Sequence, residues 1–117
     1  MSYQFTSRCY NKSSEEIWQY IQNGFSRDVI IKSIKEKLPY TVNHITKQEI
    51  SFAAATRNSG EPEIIQFQDF NTVISRLKGL IEFNTSSAKE LFKGTKVYRK
   101  RSPFFALLLS SGVIENV

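Results

Sequence analysis

The sequence predicts an α+β fold, and three observations carry that reading. Apolar residues recur at helical spacing over 13–24, 26–38 and 70–81. Over 40–67 the period drops to two, with Tyr, Val, Ile, Thr and Phe alternating with polar residues. Clusters of Asn, Ser, Gly and Pro separate these blocks. The expected arrangement is an N-terminal helical hairpin, a three-stranded antiparallel meander and a helical C-terminal half packed on one sheet face. A chain of 117 residues makes one domain, 1–117, with one core. Within it, 1–12 is an edge strand or frayed, and 113–117 is a tail apolar enough to dock or to add a strand.

Each element has its local reason. Ser13 and Glu16 have capping-box spacing ahead of Ile17, Trp18 and Ile21, and Gly24 closes that first helix. Ser26 caps a second helix with Ile30, Ile34 and Leu38 on one face, ended by Pro39. Three strands follow, over 40–46, 50–56 and 64–67, with turns at Lys47-Gln48 and at 58–62. Asp69 is an N-terminal cap or first-turn acid for the clearest stripe in the chain, Phe70, Val73, Ile74, Leu77, Leu80 and Ile81. Gly79 within it costs about 1 kcal/mol relative to Ala. A short helix over 88–92 stops at Gly94, and 95–98 is extended. Ser102 then caps a last helix with Pro103 at its first position. That helix is apolar nearly all round, hence buried, and Gly112 ends it.

Composition narrows the function classes. Apolar residues at 40% and aromatics at 13% argue against disorder. Cys9 is alone, so an intramolecular disulfide and a cysteine-rich metal site are excluded, and a reducing, cytoplasmic setting is expected. Residues 1–10 have no signal-peptide pattern, and the longest apolar run, 104–109, is too short for a membrane span, so no membrane partner is expected. The glycines are isolated and build no phosphate-binding loop. His44 is the only histidine, and nothing local pairs it with Cys9. Glu61 and Glu63 flank a proline and read as turn solvation, so no metal and no cofactor are expected.

Charge is the functional signal. The chain carries 16 basic and 11 acidic residues, net +5. Lys93, Lys96, Arg99, Lys100 and Arg101 fall within nine residues, with no acid between Glu90 and Glu115. The run leads into the Ser102 helix start, where unpaired N–H groups and partial positive charge attract phosphate. The sequence therefore predicts a small, non-catalytic nucleic-acid-binding module. Its phosphate contacts come from Lys93, Lys96, Arg99, Lys100, Arg101 and Ser102, with Arg57 in the 57–62 turn at the margin and Tyr98 offering base stacking. The partner is DNA or RNA without strong sequence preference. Set against this, the run is a solvated loop, and Lys32, Lys35 and Lys37 are the polar face of an amphipathic helix. A second expectation is a protein-interaction or homodimeric accessory domain using surplus aromatics, nine of them Phe, and the apolar tail. A third is a metal-independent hydrolase built on Arg57, Arg99, Arg101 and Ser102. It needs Glu61, Glu63 or His44 as general base, and nothing in the sequence places one there.

Overall fold

The structure, a computed structural model, describes residues 2–24, 29–31, 40–54, 58–84, 86 and 89–117. Helix α1, Ser14–Gly24, starts on the capping box that the spacing predicts. The Ser13 amide donates to Glu16 Oε1 at 3.0 Å, and the Glu16 amide donates to Ser13 Oγ at 3.2 Å. The bond from the Ser13 backbone, then that with its hydroxyl, holds the Glu16 carboxyl below its ordinary value. Ile17, Trp18 and Ile21 form the buried face.

The expected helical hairpin is not formed. Val29–Ile31 is a strand, β2, paired antiparallel with β3, Tyr40–Ile45, in the register Val29↔Val42 and Ile31↔Tyr40. Three consecutive β-branched residues fit a pleated ladder better than a helix interior, and the available edge of β3 decides the matter. The remainder of the expected second helix, with Lys32, Lys35 and Lys37, lies outside the described residues. The sheet accordingly has four strands where three were expected, in the order β2-β3-β4-β5, with β4 at Glu49–Ala53 and β5 at Glu63–Gln66. Strands β3 to β5 are the predicted antiparallel meander. A bulge between Val42 and His44 shifts the β3–β4 register. Ile50, Phe52 and Ala54 are buried, as their alternation requires; Thr56 lies outside the described residues.

Helix α2, Phe67–Leu77, follows β5 without a loop, so Phe67 is a helical residue and not the end of a strand. Its N-cap, Gln66, makes no side-chain cap. The orphan amide of Phe67 instead donates to the Gln48 carbonyl at 2.8 Å, in the β3–β4 turn. The same turn accepts the Trp18 indole N–H at the Thr46 carbonyl, 2.9 Å. Trp18 packs edge-on against Phe67 and Phe70, and the contact continues from Phe70 to Phe104 to Phe92. One cluster of buried residues joins these with the inner face of β3, β4 and β5.

The apolar stripe holds only as far as the helix does. Phe70, Val73, Ile74 and Leu77 are wholly buried, but Leu80 is exposed and Ile81 is 90% exposed. After Leu77 the chain leaves the helix so that Phe83 can pair with Tyr3 through two backbone bonds of 2.8 and 3.0 Å. That pairing buries the Phe83 ring and overrides the helical period. Helix α3, Lys89–Phe92, and helix α4, Arg101–Ser111, follow. Pro103 through Leu108 in α4 are all buried, as the all-round apolar pattern predicts. Gly112, at φ 80°, turns the chain out of the helix while the Val113 amide donates to the Leu108 carbonyl at 2.9 Å. The 113–117 tail is a strand, β6, at Ile114–Asn116. It pairs within the chain with β1, Tyr3–Phe5, and is thereby engaged where the homodimer reading needed it free. Among the described residues no helix is long and apolar enough to cross a membrane.

Two outcomes are expected. Leu77→Ala lowers the unfolding free energy by about 2–5 kcal/mol, whereas Ile81→Ala, on the same nominal stripe, changes it by less than about 0.5 kcal/mol; paired denaturant titrations check the contrast. Ser13→Ala moves the Glu16 pKa back up toward its ordinary value, read by NMR titration. Because Glu16 is more acidic folded than unfolded, its contribution is complete above the ordinary Glu value and is lost as pH falls through the lowered one. The stability gap between wild type and Ser13→Ala therefore narrows in acid.

Candidate nucleic-acid interface

The basic run lies across the turn that follows α3, a 3-10 turn at Tyr98–Lys100, and the first residue of α4. Gly94, at φ 81°, reverses the chain after α3. The Thr95 hydroxyl donates to the Phe92 carbonyl at 2.7 Å. Segment 95–98 is therefore a bend and a turn, not extended as expected. The cause is Val97, which is wholly buried and draws the chain inward. The Lys100 amide then donates to the Val97 carbonyl at 2.8 Å and closes the 3-10 turn.

In a 3-10 turn, side chains three apart eclipse one another, so this segment has distinct faces. Val97 and Lys100 share the inward face. There the Lys100 ammonium donates to the Ile64 carbonyl in β5 at 2.8 Å, which ties the turn to the sheet. Tyr98 and Arg101 share another. The Arg101 guanidinium carbon lies 4.3 Å from the centre of the Tyr98 ring, and Nη1 donates to the Tyr98 carbonyl at 2.7 Å. Lys93 and Lys96 are exposed, and so is Arg99, which makes contacts of its own.

The helix start differs from the expected cradle. The N-cap of α4 is Lys100, which makes no side-chain cap, and Ser102 is the second helical residue. Turning begins at Val97, so the chain is already helical when it reaches Ser102. Pro103 follows, buried and without a donor. The capacity of this surface to hold an anion thus rests on side chains more than on the end of α4. Asp69, the first-turn acid of α2, accepts the Lys96 amide at 3.4 Å, and Glu63 adjoins the carbonyl that holds Lys100. One acid, Asp69, thus lies beside the run on its α2 side. Arg57 lies outside the described residues.

One contributor has no signal in the sequence. Arg76, in the last turn of α2, donates from Nη1 to the Leu91 carbonyl at 2.8 Å and to the Lys93 carbonyl at 2.9 Å. It fixes the end of α3, and with it the start of the basic run, against α2. Elsewhere, His44 is exposed and pairs across the hairpin with Glu49 at 3.1 Å, while Cys9 is wholly buried. Among the described residues no group of three His, Cys, Asp or Glu side chains stands ready for a metal ion. An open groove of about 420 Å³ is lined by Phe5, Tyr10, Leu80 and Ile81 with Lys78 beside them, and Tyr10, Leu80 and Ile81 are exposed there. Comparison with protein families, with curated proteins and with solved structures finds no match to this chain.

The two kinds of lysine in the run separate experimentally. Lys100→Ala removes the tie to Ile64 and lowers stability by about 1 kcal/mol. Lys93→Ala stays within about 0.5 kcal/mol of wild type. Thermal unfolding of the two variants beside the parent measures the difference.

Proposed function

We propose that this protein is a non-catalytic nucleic-acid-binding module that contacts phosphate through the segment 93–101. The observation that carries the reading is the arrangement of the run. Its base is anchored by Lys100 on Ile64 and by Arg76 on α3, while Lys93, Lys96 and Arg99 stay exposed around the Tyr98–Arg101 pair. A solvated loop needs no such anchorage, whereas a phosphate-contacting surface gains from it, because fewer conformations are lost on binding. Phosphate contacts of this kind carry no sequence preference. A second reading, a protein-interaction surface, draws on the groove beside the exposed Leu80 and Ile81.

Binding of mixed-sequence DNA and RNA across a salt series tests the proposal. Wild type is expected to bind more tightly than about 100 μM near physiological salt, with affinity falling steeply as salt rises. The double variant Lys93→Gln, Lys96→Gln is expected to weaken binding to all sequences alike and to flatten the salt slope by up to about two units. No binding by wild type at that level overturns the proposal. A sedimenting mass of twice 13.5 kDa without nucleic acid supports the second reading.

A further inference from the structure

We infer that the surface around Tyr98 is built for single-stranded nucleic acid, held by stacking as well as by charge; the inference rests on the proposal above and names its substrate class. Tyr98 is 39% exposed although it belongs to the core-anchored turn. Arg101 lies over the ring at 4.3 Å and is itself only half-buried, so ring and guanidinium are reached from solvent together. Two constraints hold the pair in place: the eclipsed three-residue spacing of the turn, and the 2.7 Å bond from the Arg101 guanidinium to the Tyr98 carbonyl. An aromatic ring and a guanidinium held together are a stacking platform for an unpaired base, and each has a flat face for it.

The distinction from duplex follows from what each form exposes. In a duplex the base faces are already stacked on one another, and an exposed ring among lysines finds nothing to cover it. In a single strand the faces are open, and the phosphates on either side of a stacked base meet the flanking cations. Lys96 precedes the ring by two residues and Arg99 follows it, with Lys93 beyond the Gly94 turn. The ring thus interrupts the charge at its middle, which suits a strand whose bases and phosphates alternate. A purely electrostatic surface has no use for an apolar residue there.

The test compares a fluorescently labelled 20-nucleotide oligothymidylate, an oligouridylate of the same length and a self-complementary DNA hairpin by anisotropy, with wild type, Tyr98→Leu and Tyr98→Phe. Tyr98→Leu keeps bulk and removes the π face; circular dichroism and the melting curve confirm that it folds. Wild type is expected to bind the single strands at least about tenfold more tightly than the hairpin. Tyr98→Leu is expected to lose about 10- to 100-fold on the single strands, the range for one stacked base, with an unchanged salt slope and unchanged hairpin binding. Tyr98→Phe is expected to restore wild-type affinity. Equal affinity of wild type for single strand and hairpin, with Tyr98→Leu indistinguishable from it, overturns this inference and leaves the phosphate-binding proposal standing. Absence of binding to all three probes overturns both.

Discussion

Trp18 is the residue on which the arrangement of the core depends. Its indole donates to the Thr46 carbonyl, and its ring meets Phe67 and Phe70 edge-on. One side chain from α1 therefore fixes the tip of the β3–β4 hairpin and the first turn of α2 at once. The hairpin tip is itself rigid. The Thr46 hydroxyl accepts the amides of Gln48 and Glu49, and a second carbonyl of the tip, that of Gln48, holds the start of α2. A buried indole N–H left without its acceptor costs about 1–3 kcal/mol, so the position of the turn is strongly specified. From Phe70 the ring contacts pass to Phe104 and Phe92, carrying the same constraint to α4 and α3. The basic surface is thus positioned, through a chain of aromatic contacts, by a tryptophan of α1.

What could be read in advance was what local chemistry decides. The Ser13–Glu16 box needs only three residues of spacing, the Lys47-Gln48 turn lies between two alternating runs, and Gly94 and Gly112 take the positive φ that their positions suggest. The all-round apolar character of 104–109 called for burial, and all of it but the half-buried Leu109 is buried. The failures share a different cause. Val29–Ile31 lies on a helical stripe although its β-branched residues favour a strand, and the presence of Val42 and Tyr40 across the ladder decides. Ile81 continues a perfect helical period, yet the backbone bonds between Phe83 and Tyr3, eighty positions apart, pull the chain away first. Ser102 next to Pro103 is a sound helix-start signal, overridden because the burial of Val97 starts the turn five residues early. In each case a contact distant in sequence outranks a local preference.

The candidate site shows the same division. The density of charge over 93–101 was visible in the sequence, as was the idea that Tyr98 stacks. Which charges remain available was not. Lys100 serves the sheet, Arg101 serves Tyr98, and Arg76, with no motif to mark it, secures the segment from behind. Those roles depend on carbonyls of Ile64 and Leu91 that only the tertiary fold brings within reach. A count of basic residues therefore measures the field around this surface better than it measures the number of side chains that a ligand can engage.

The pairing of β1 with β6 also fixes how the molecule meets a pulling force. The strands are antiparallel, with Tyr3 opposite Asn116 and the Val117 amide bonded to the Ser2 carbonyl, so both lie at one end of the ladder. Tension applied through residues 2 and 117 acts along the inter-strand hydrogen bonds and not along the strands. The ladder then opens as a zipper, one bond after another, where a sheared ladder would resist with all its bonds together. On the other side of β1 stand the two bonds between Tyr3 and Phe83. The fold is therefore mechanically soft at this edge, while the Trp18 core carries no load until that edge is gone.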